Sequence, residues 1–432
     1  MNSPRSPSTS SASMTASALA INGGWNNTKP EHPTETTMTT ATRSRAARGK
    51  KAALPTDADP SEPLREGPAK NGLPGQVVLV LQGGGALGAY QVGIYQALHE
   101  AGIEPDWVIG TSIGAINAAL ICGNEPANRM ARLDTFWNQV EQQTAPNPFD
   151  FLGLNGMLGT MNTIMRGIPS FFTPNLAALR GQKAEVGIES ASYYSTAPLR
   201  ETLNDLIDWK YLCDRHTRLT VGAVNACSGE MRYFDTRKEK LGADHVMASG
   251  ALPPAFGAIR IDGQPYWDGG IYSNTPIEVV LDDKPRRVSL IFAVNVWHQT
   301  ATEPKSIWEV MARTKDIQFA SRADSHILRQ KQNHRLRHVI RELVKQLPAS
   351  RQGEEKIKEL ASWGCGTTMH VAHMLAPRID NEDHTKDIDF TTDGIRMRRD
   401  ASYADTMRMI ARAPWRAPAD PIEGVIEHRS EQ

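Results

Sequence analysis

Continuous apolar runs broken by glycine-rich turns organise the middle of the chain. Val77-Val78-Leu79-Val80-Leu81 carries no polar position, the pattern of a strand buried on both faces. Beyond Gly83-Gly84-Gly85-Ala86-Leu87-Gly88, the residues Tyr90, Ile94, Ala97 and Leu98 recur at helical spacing, and Ala101-Gly102 closes that helix. Trp107-Val108-Ile109 predicts a short second strand. Gly110-Thr111-Ser112-Ile113-Gly114 follows, and Ile113 to Ile121 then reads as a helix of small residues able to pack close to a sheet. Strand, glycine turn and helix, twice over, is the rhythm of a parallel α/β sheet with helices on both faces. Further strands are expected at Leu219 to Ala226, Met231 to Phe234, Val288 to Val296 and Thr368 to Leu375.

Elsewhere the pattern changes. Residues 1–73 are dominated by Ser, Thr, Pro and Ala, with a basic cluster at Arg43 to Lys51; they bury too little apolar surface to offset chain entropy and are expected to be disordered. Phe151 to Leu179 is rich in Gly, Met and Phe, including Met157, Met161, Met165, Phe171 and Phe172. It fits either a mobile cap or acyl-chain groove, or an irregular piece of core. From about Pro304 long charged helices are expected. There Leu336, Val339, Ile340, Leu343, Val344 and Leu347 form an apolar stripe among basic residues. Such a helix either packs on the main domain or lies on a membrane surface.

The resulting organisation is a tail over 1–73, a catalytic domain over 76–283, a strand and largely helical extension over 284–415 packed on it, and a flexible tail over 416–432. Formal net charge is +0, so no global field favours nucleic acid. Four scattered cysteines form no C-x-x-C pair, which supports neither a zinc site nor a disulfide framework. No run reaches the apolar length of a membrane span, and the N-terminus lacks the apolar core of a secretory signal. A cytoplasmic protein, at most peripheral to the membrane, is the expectation.

Ser112 stands in a G-x-S-x-G turn between an apolar strand and a helix. That is where an activated nucleophile is held outward, but a serine there can also simply cap the helix. The glycines at 83–85, at a second helix start, offer backbone N–H groups suited to a developing oxyanion. Asp268, in Tyr266-Trp267-Asp268-Gly269-Gly270, is either a carboxylate exposed for base chemistry or a β-turn residue.

In this order, Gly-Gly-Gly-x-x-Gly, Gly-x-Ser-x-Gly and Asp-Gly-Gly make the chain resemble the patatin-like phospholipase family, from about Val77 to about Asp282. Ala248 to Phe256 and Ser273-Asn274-Thr275-Pro276 resemble it too. The resemblance implies a three-layer α/β sandwich with a mostly parallel sheet. It also implies a dyad of Ser112 and Asp268 without an obligatory histidine, and an oxyanion hole from Gly83, Gly84 and Gly85. Gly88, Gly110, Gly114, Gly269 and Gly270 complete the motifs. The implied substrate is a lipid acyl ester and the implied cofactor is none. Contact with a membrane is expected through 151–179 or the basic helix near 335–347. Leu87 departs from the basic residue that many members carry in the glycine loop. The C-terminal region resembles the extension of a bacterial subgroup.

Three rivals accompany this reading. One is a Ser-His-Asp esterase using His298 after the strand Val288 to Val296. Another is dinucleotide binding, for which Asp106 stands before the second strand rather than at its end. The third is a lipid- or membrane-binding scaffold with little catalysis.

Overall fold

Nine strands form one twisted, mostly parallel sheet, whose order is β11-β10-β9-β1-β2-β5-β8-β7, with β6 also pairing β5. The computed structural model describes residues 72–142, 165–181, 183–320, 323–379, 384–418, 420 and 422–429. The strands are β1 (Gln76–Leu81), β2 (Trp107–Gly110), β5 (Arg218–Asn225), β6 (Met231–Asp235), β7 (Ile259–Ile261), β8 (Gln264–Asp268), β9 (Ser289–Asn295), β10 (Met369–Leu375) and β11 (Val425–Arg429); β3 (Thr173–Pro174) and β4 (Tyr194–Ser195) pair separately. The first helices are α1 (Ala89–Glu100), α2 (Ile113–Cys122), α3 (Pro126–Val140), α4 (Ala197–Leu206), α5 (Trp209–Cys213), α6 (Ala243–Ser249) and α7 (Glu278–Leu281). Then come α8 (Ile307–Phe319), α9 (Ala323–Gln346), α10 (Ala349–Gln352), α11 (Glu355–Ser362) and α12 (Thr392–Arg412).

Strand β1 explains the layering. Val77, Leu79 and Leu81 point into one core and Val78 and Val80 into another, so both faces of the sheet are covered. The first core takes in α1, α2 and α3; the second is closed by Ile277, Val280 and Leu281 from around α7 and by Ile327 of α9. The expected three-layer α/β sandwich is therefore observed. The expected strands all form, within two residues of their predicted ends.

The C-terminal region is mostly helical but also builds the sheet. β9 lies directly beside β1 in parallel register, Val78 opposite Ile291, and β10 and β11 extend that edge. Helix α12 packs across α1, where Gly93 gives it room: a Cβ there would lie 2.1 Å from the Arg399 carbonyl oxygen. Strand β11 falls within 416–432, where a flexible tail was expected; its backbone pairs with β10 from Met369↔Val425 to His373↔Arg429. The short run Val425–Arg429 has only Val425 fully buried, which is why its sequence pattern gave no strand signal.

The expected tail over 1–73 lies outside the described residues except for Gly72 and Leu73, and Leu73 is buried in the core. Met157 and Met161 also lie outside them. Of the same stretch, Phe172 is buried and Phe171 packs on Phe136, Phe256 and Phe390, whereas Met165 is exposed. In α9 the buried face is not the expected stripe: Ile327, Gln330, His334 and His338 face inward, and Leu336 and Leu343 are exposed. Among the described residues no helix is long and apolar enough to cross a membrane.

Candidate active site

Strand β5 works as a ruler for the two motif residues. Gly110, at the end of β2, pairs with Val221, and Asp268, at the end of β8, pairs with Ala223. Two residues along a strand span about 7 Å, so the turn after Gly110 and the end of β8 arrive at one place. There the Ser112 side chain lies beside Asp268 and draws its carboxyl down against the effect of burial.

The serine corner is tight. Ser112 has φ 56° and ψ −126°, a conformation that costs a non-glycine residue about 1–3 kcal/mol. It is held there through its N–H, which donates to Ser249 Oγ at 3.1 Å, while that hydroxyl donates to the Gly222 carbonyl at 2.6 Å. Gly110 and Gly114 permit the corner: a Cβ on Gly110 would lie 2.2 Å from Gly114 O, and one on Gly114 2.4 Å from Leu81 O. Ser112 sits at the N-terminus of α2 yet makes no side-chain cap there. Its hydroxyl is thus free of the capping role.

Asp268 is 2% exposed. Its Oδ1 accepts the Gly270 N–H at 2.7 Å, so the Asp-Gly-Gly turn forms. Burial raises its carboxyl to about 7, against the opposing pull of the Ser112 and Gly270 donors. Gly269 lets β8 close on β5, since a Cβ there would meet Gly222 O at 2.4 Å. No histidine among the described residues hydrogen-bonds Ser112 or Asp268. His298 is buried and pushed down to about 4, chiefly by burial and then by Arg378 and Lys386.

The glycine loop divides the expected donors. The Gly83 N–H is already used, donating to the Asn274 carbonyl at 3.2 Å. The Gly83 carbonyl accepts from Trp297 Nε1 at 2.8 Å and Asn274 Nδ2 at 3.1 Å. In a trans peptide, pinning that carbonyl turns the Gly84 N–H to the opposite side. The Gly84 carbonyl accepts the Leu87 N–H at 3.1 Å, which likewise turns out the Gly85 N–H. Among the described residues neither the Gly84 nor the Gly85 N–H has a hydrogen-bond acceptor. Gly83 has no room for a side chain, because a Cβ would sit 2.4 Å from Asn274 Oδ1 and 3.0 Å from Ser112 Cβ. Gly88 abuts Ile113, which ties the two glycine turns together.

Residues 79–281 match the family model of the patatin-like phospholipases, and residues 317–422 match a second model described as patatin phospholipase. The chain belongs to the patatin-like phospholipase family. Lysophospholipase NTE1 of Candida glabrata is 29% identical over 232 residues, covering 52% of this chain and 11% of that protein. Patatin-like phospholipase domain-containing protein 6 of Mus musculus is 43% identical over 61 residues, 14% of this chain and 4% of that one. The chain therefore spans only a small part of these relatives' own length. VipD from Legionella pneumophila aligns over 78% of this chain and 67% of its own at 17% identity, with a TM-score of 0.34.

Within this patatin-like frame, several residues that shape the site carried no signal of their own. Asn274 was visible only as part of a supporting stretch. Trp297, Gln82 and Asp387 read as ordinary strand and loop residues. Gln82, fully buried, accepts from the N–H groups of Val296 and Trp297 at 2.5 and 3.1 Å and so fixes the indole that holds Gly83. The Asp387 carbonyl accepts the Ala86 N–H at 2.8 Å. A cavity of about 340 Å³ opens at the carboxyl ends of β9 and β10; Trp297 lines it, but Ser112 and Asp268 do not.

Proposed function

We propose that the protein hydrolyses carboxylic esters of lipids through Ser112 and Asp268. Asp268 takes the Ser112 proton as Oγ attacks the acyl carbonyl, and the N–H groups of Gly84 and Gly85 receive the negative oxygen. Collapse breaks the ester C–O bond, the alcohol leaves with the proton from Asp268, and the acyl group stays on Ser112. Water activated by the same carboxylate then releases the fatty acid and restores the serine. Gly83 acts through its carbonyl, which orients the Gly84 N–H, rather than as a third donor.

The observation that carries this reading is a buried carboxylate beside a serine held in a strained strand-to-helix corner. A carboxyl near 7 is matched to base work at neutral pH. Family membership supports the lipid ester as substrate class. The test is hydrolysis of a phospholipid and of a short p-nitrophenyl ester by wild type and Ser112→Ala. Turnover by wild type and its loss in the variant is the expected result; equal rates would remove the assignment. Loss of activity in His298→Ala, with its fold intact, would instead favour a triad.

A further inference from the structure

Helix α8 is built inside out. Beyond Glu309 in its first turn, its charged residues face the protein: Asp316 pairs with Lys386 at 2.8 Å, Lys315 with Asp387 at 2.7 Å, and Arg313 donates to the carbonyls of His298 and Gln299 at 3.1 and 2.5 Å. At 100° per residue, Ile307, Val310, Met311 and Ile317 fall on the opposite arc, and Thr314 and Gln318 between them carry no charge. Trp308 flanks that arc. These five apolar side chains are between 47% and 80% exposed, the reverse of an ordinary surface helix.

The same helix ends on the active site. The Phe319 carbonyl accepts Asn274 Nδ2 at 2.9 Å and Gln82 Nε2 at 3.3 Å. Asn274 and Gln82 are two of the residues that set the glycine loop. Asp387, paired with Lys315, holds Ala86 in that loop. Ile271 and Tyr272, directly after Asp268-Gly269-Gly270, are also exposed.

We propose that the outward arc of α8 is a docking surface for a lipid bilayer, seating the glycine loop and Ser112 at the lipid face. This rests on the lipid-ester reading for its choice of occupant. One face of a 13-residue helix, about 20 Å long and 10 Å across, falls short of the about 800 Å² per partner that a standard protein interface buries. A neutral apolar arc lying in the headgroup boundary needs no such area. The inward salt bridges keep the arc outward and tie it rigidly to the catalytic loop.

The experiment is co-sedimentation of the full chain with vesicles of phosphatidylcholine and phosphatidylglycerol, in the Ser112→Ala background so that the vesicles stay intact. Val310→Asp/Ile317→Asp should bind at least about tenfold more weakly. In the otherwise native enzyme the same pair should leave hydrolysis of a soluble short ester unchanged. Val310→Trp, which enlarges the apolar face, should bind more tightly and keeps the test independent of any folding loss. Leu336→Asp/Leu343→Asp on α9 should bind like the parent. Equal binding by the α8 pair, loss confined to the α9 pair, or a wild-type dimer that the α8 pair splits on light scattering would overturn the proposal. Vesicle binding that depends on α8 in a protein inert toward every ester would sink the hydrolase reading and leave the docking surface standing.

Discussion

The two glycine-rich turns look alike in sequence and are held in opposite ways. At Gly110 to Gly114 the crowding comes from near neighbours: Gly110 presses on the Gly114 backbone within the same turn, and Gly114 on Leu81 at the end of the adjacent strand β1. At Gly83 to Gly88 it is distant: Gly83 meets Asn274, Gly84 meets Val296 and Trp297, and Gly85, at φ +55°, lies under the Asp387 carbonyl. The serine corner thus draws its close packing from its own turn and the adjacent strand, with Ser249 holding its N–H. The loop Gly83 to Gly88 takes its shape from three later parts of the chain, two of them beyond the matched segment 79–281. A motif of the same kind can lean on near neighbours in one place and on distant segments in another.

Removing the local partner should have the largest effect. Ser112→Ala is expected to lower kcat by about 10⁵–10⁶-fold with the melting midpoint hardly moved, read by ester assay and calorimetry. Asp268→Asn should lower kcat by about 10⁴-fold. It should also melt higher than wild type at pH 8. Burial lifts this carboxyl from its ordinary 3.8 to about 7, so the native state holds the proton more tightly than the unfolded chain. Its contribution to stability is greatest below the unfolded value and declines as pH rises to about 7, and the asparagine escapes that loss.

Gly85→Ala attacks the distant arrangement. A Cβ would lie 2.2 Å from Asp387 O at a positive φ, and a loss of about 2–3 kcal/mol in stability is expected together with most of the activity. Denaturant melts and the ester assay check both. The pH profile is gentler: kcat/KM should fall about tenfold per unit below pH 7 as Asp268 takes up its proton, and level off above. Smallest of all, Trp297→Phe deletes one donor to the Gly83 carbonyl, about 1 kcal/mol or roughly fivefold in kcat, with KM unchanged. An unaltered kcat would mean that the later segments do not govern the loop, and the contrast drawn above would fail.

This contrast also explains what the sequence disclosed. Periodicity exposed β1, β2, β5 and β9 because strands covered on both faces read as unbroken apolar runs. Ser112 and Asp268 were legible because glycines on either side are required by close backbone approach. Asn274, Trp297 and Asp387 were not, since what they supply is a carbonyl or a single donor to a loop far away in the chain, and any polar or aromatic residue looks the same there. The three expected oxyanion donors could not be told apart in sequence for a related reason: the Gly83 N–H donates to the carbonyl of Asn274, a partner far along the chain. The stripe on α9 misled because that helix turns Gln330 to Asp282 and packs His334 and His338 against Gly424 just before β11, polar partners that an apolar pattern does not reveal.

The place of β9 has a consequence for biosynthesis. This strand is the inner neighbour of β1, yet it is translated after both the serine and the aspartate. A nascent chain halted before Ser289 has both reactive side chains but an open edge beside β1, no indole over the glycine loop and no tether for its amides. On the proposed mechanism Ser112 is expected to become reactive only after β9 has left the ribosome, and fluorophosphonate labelling of stalled chains that stop before and after β9 checks it.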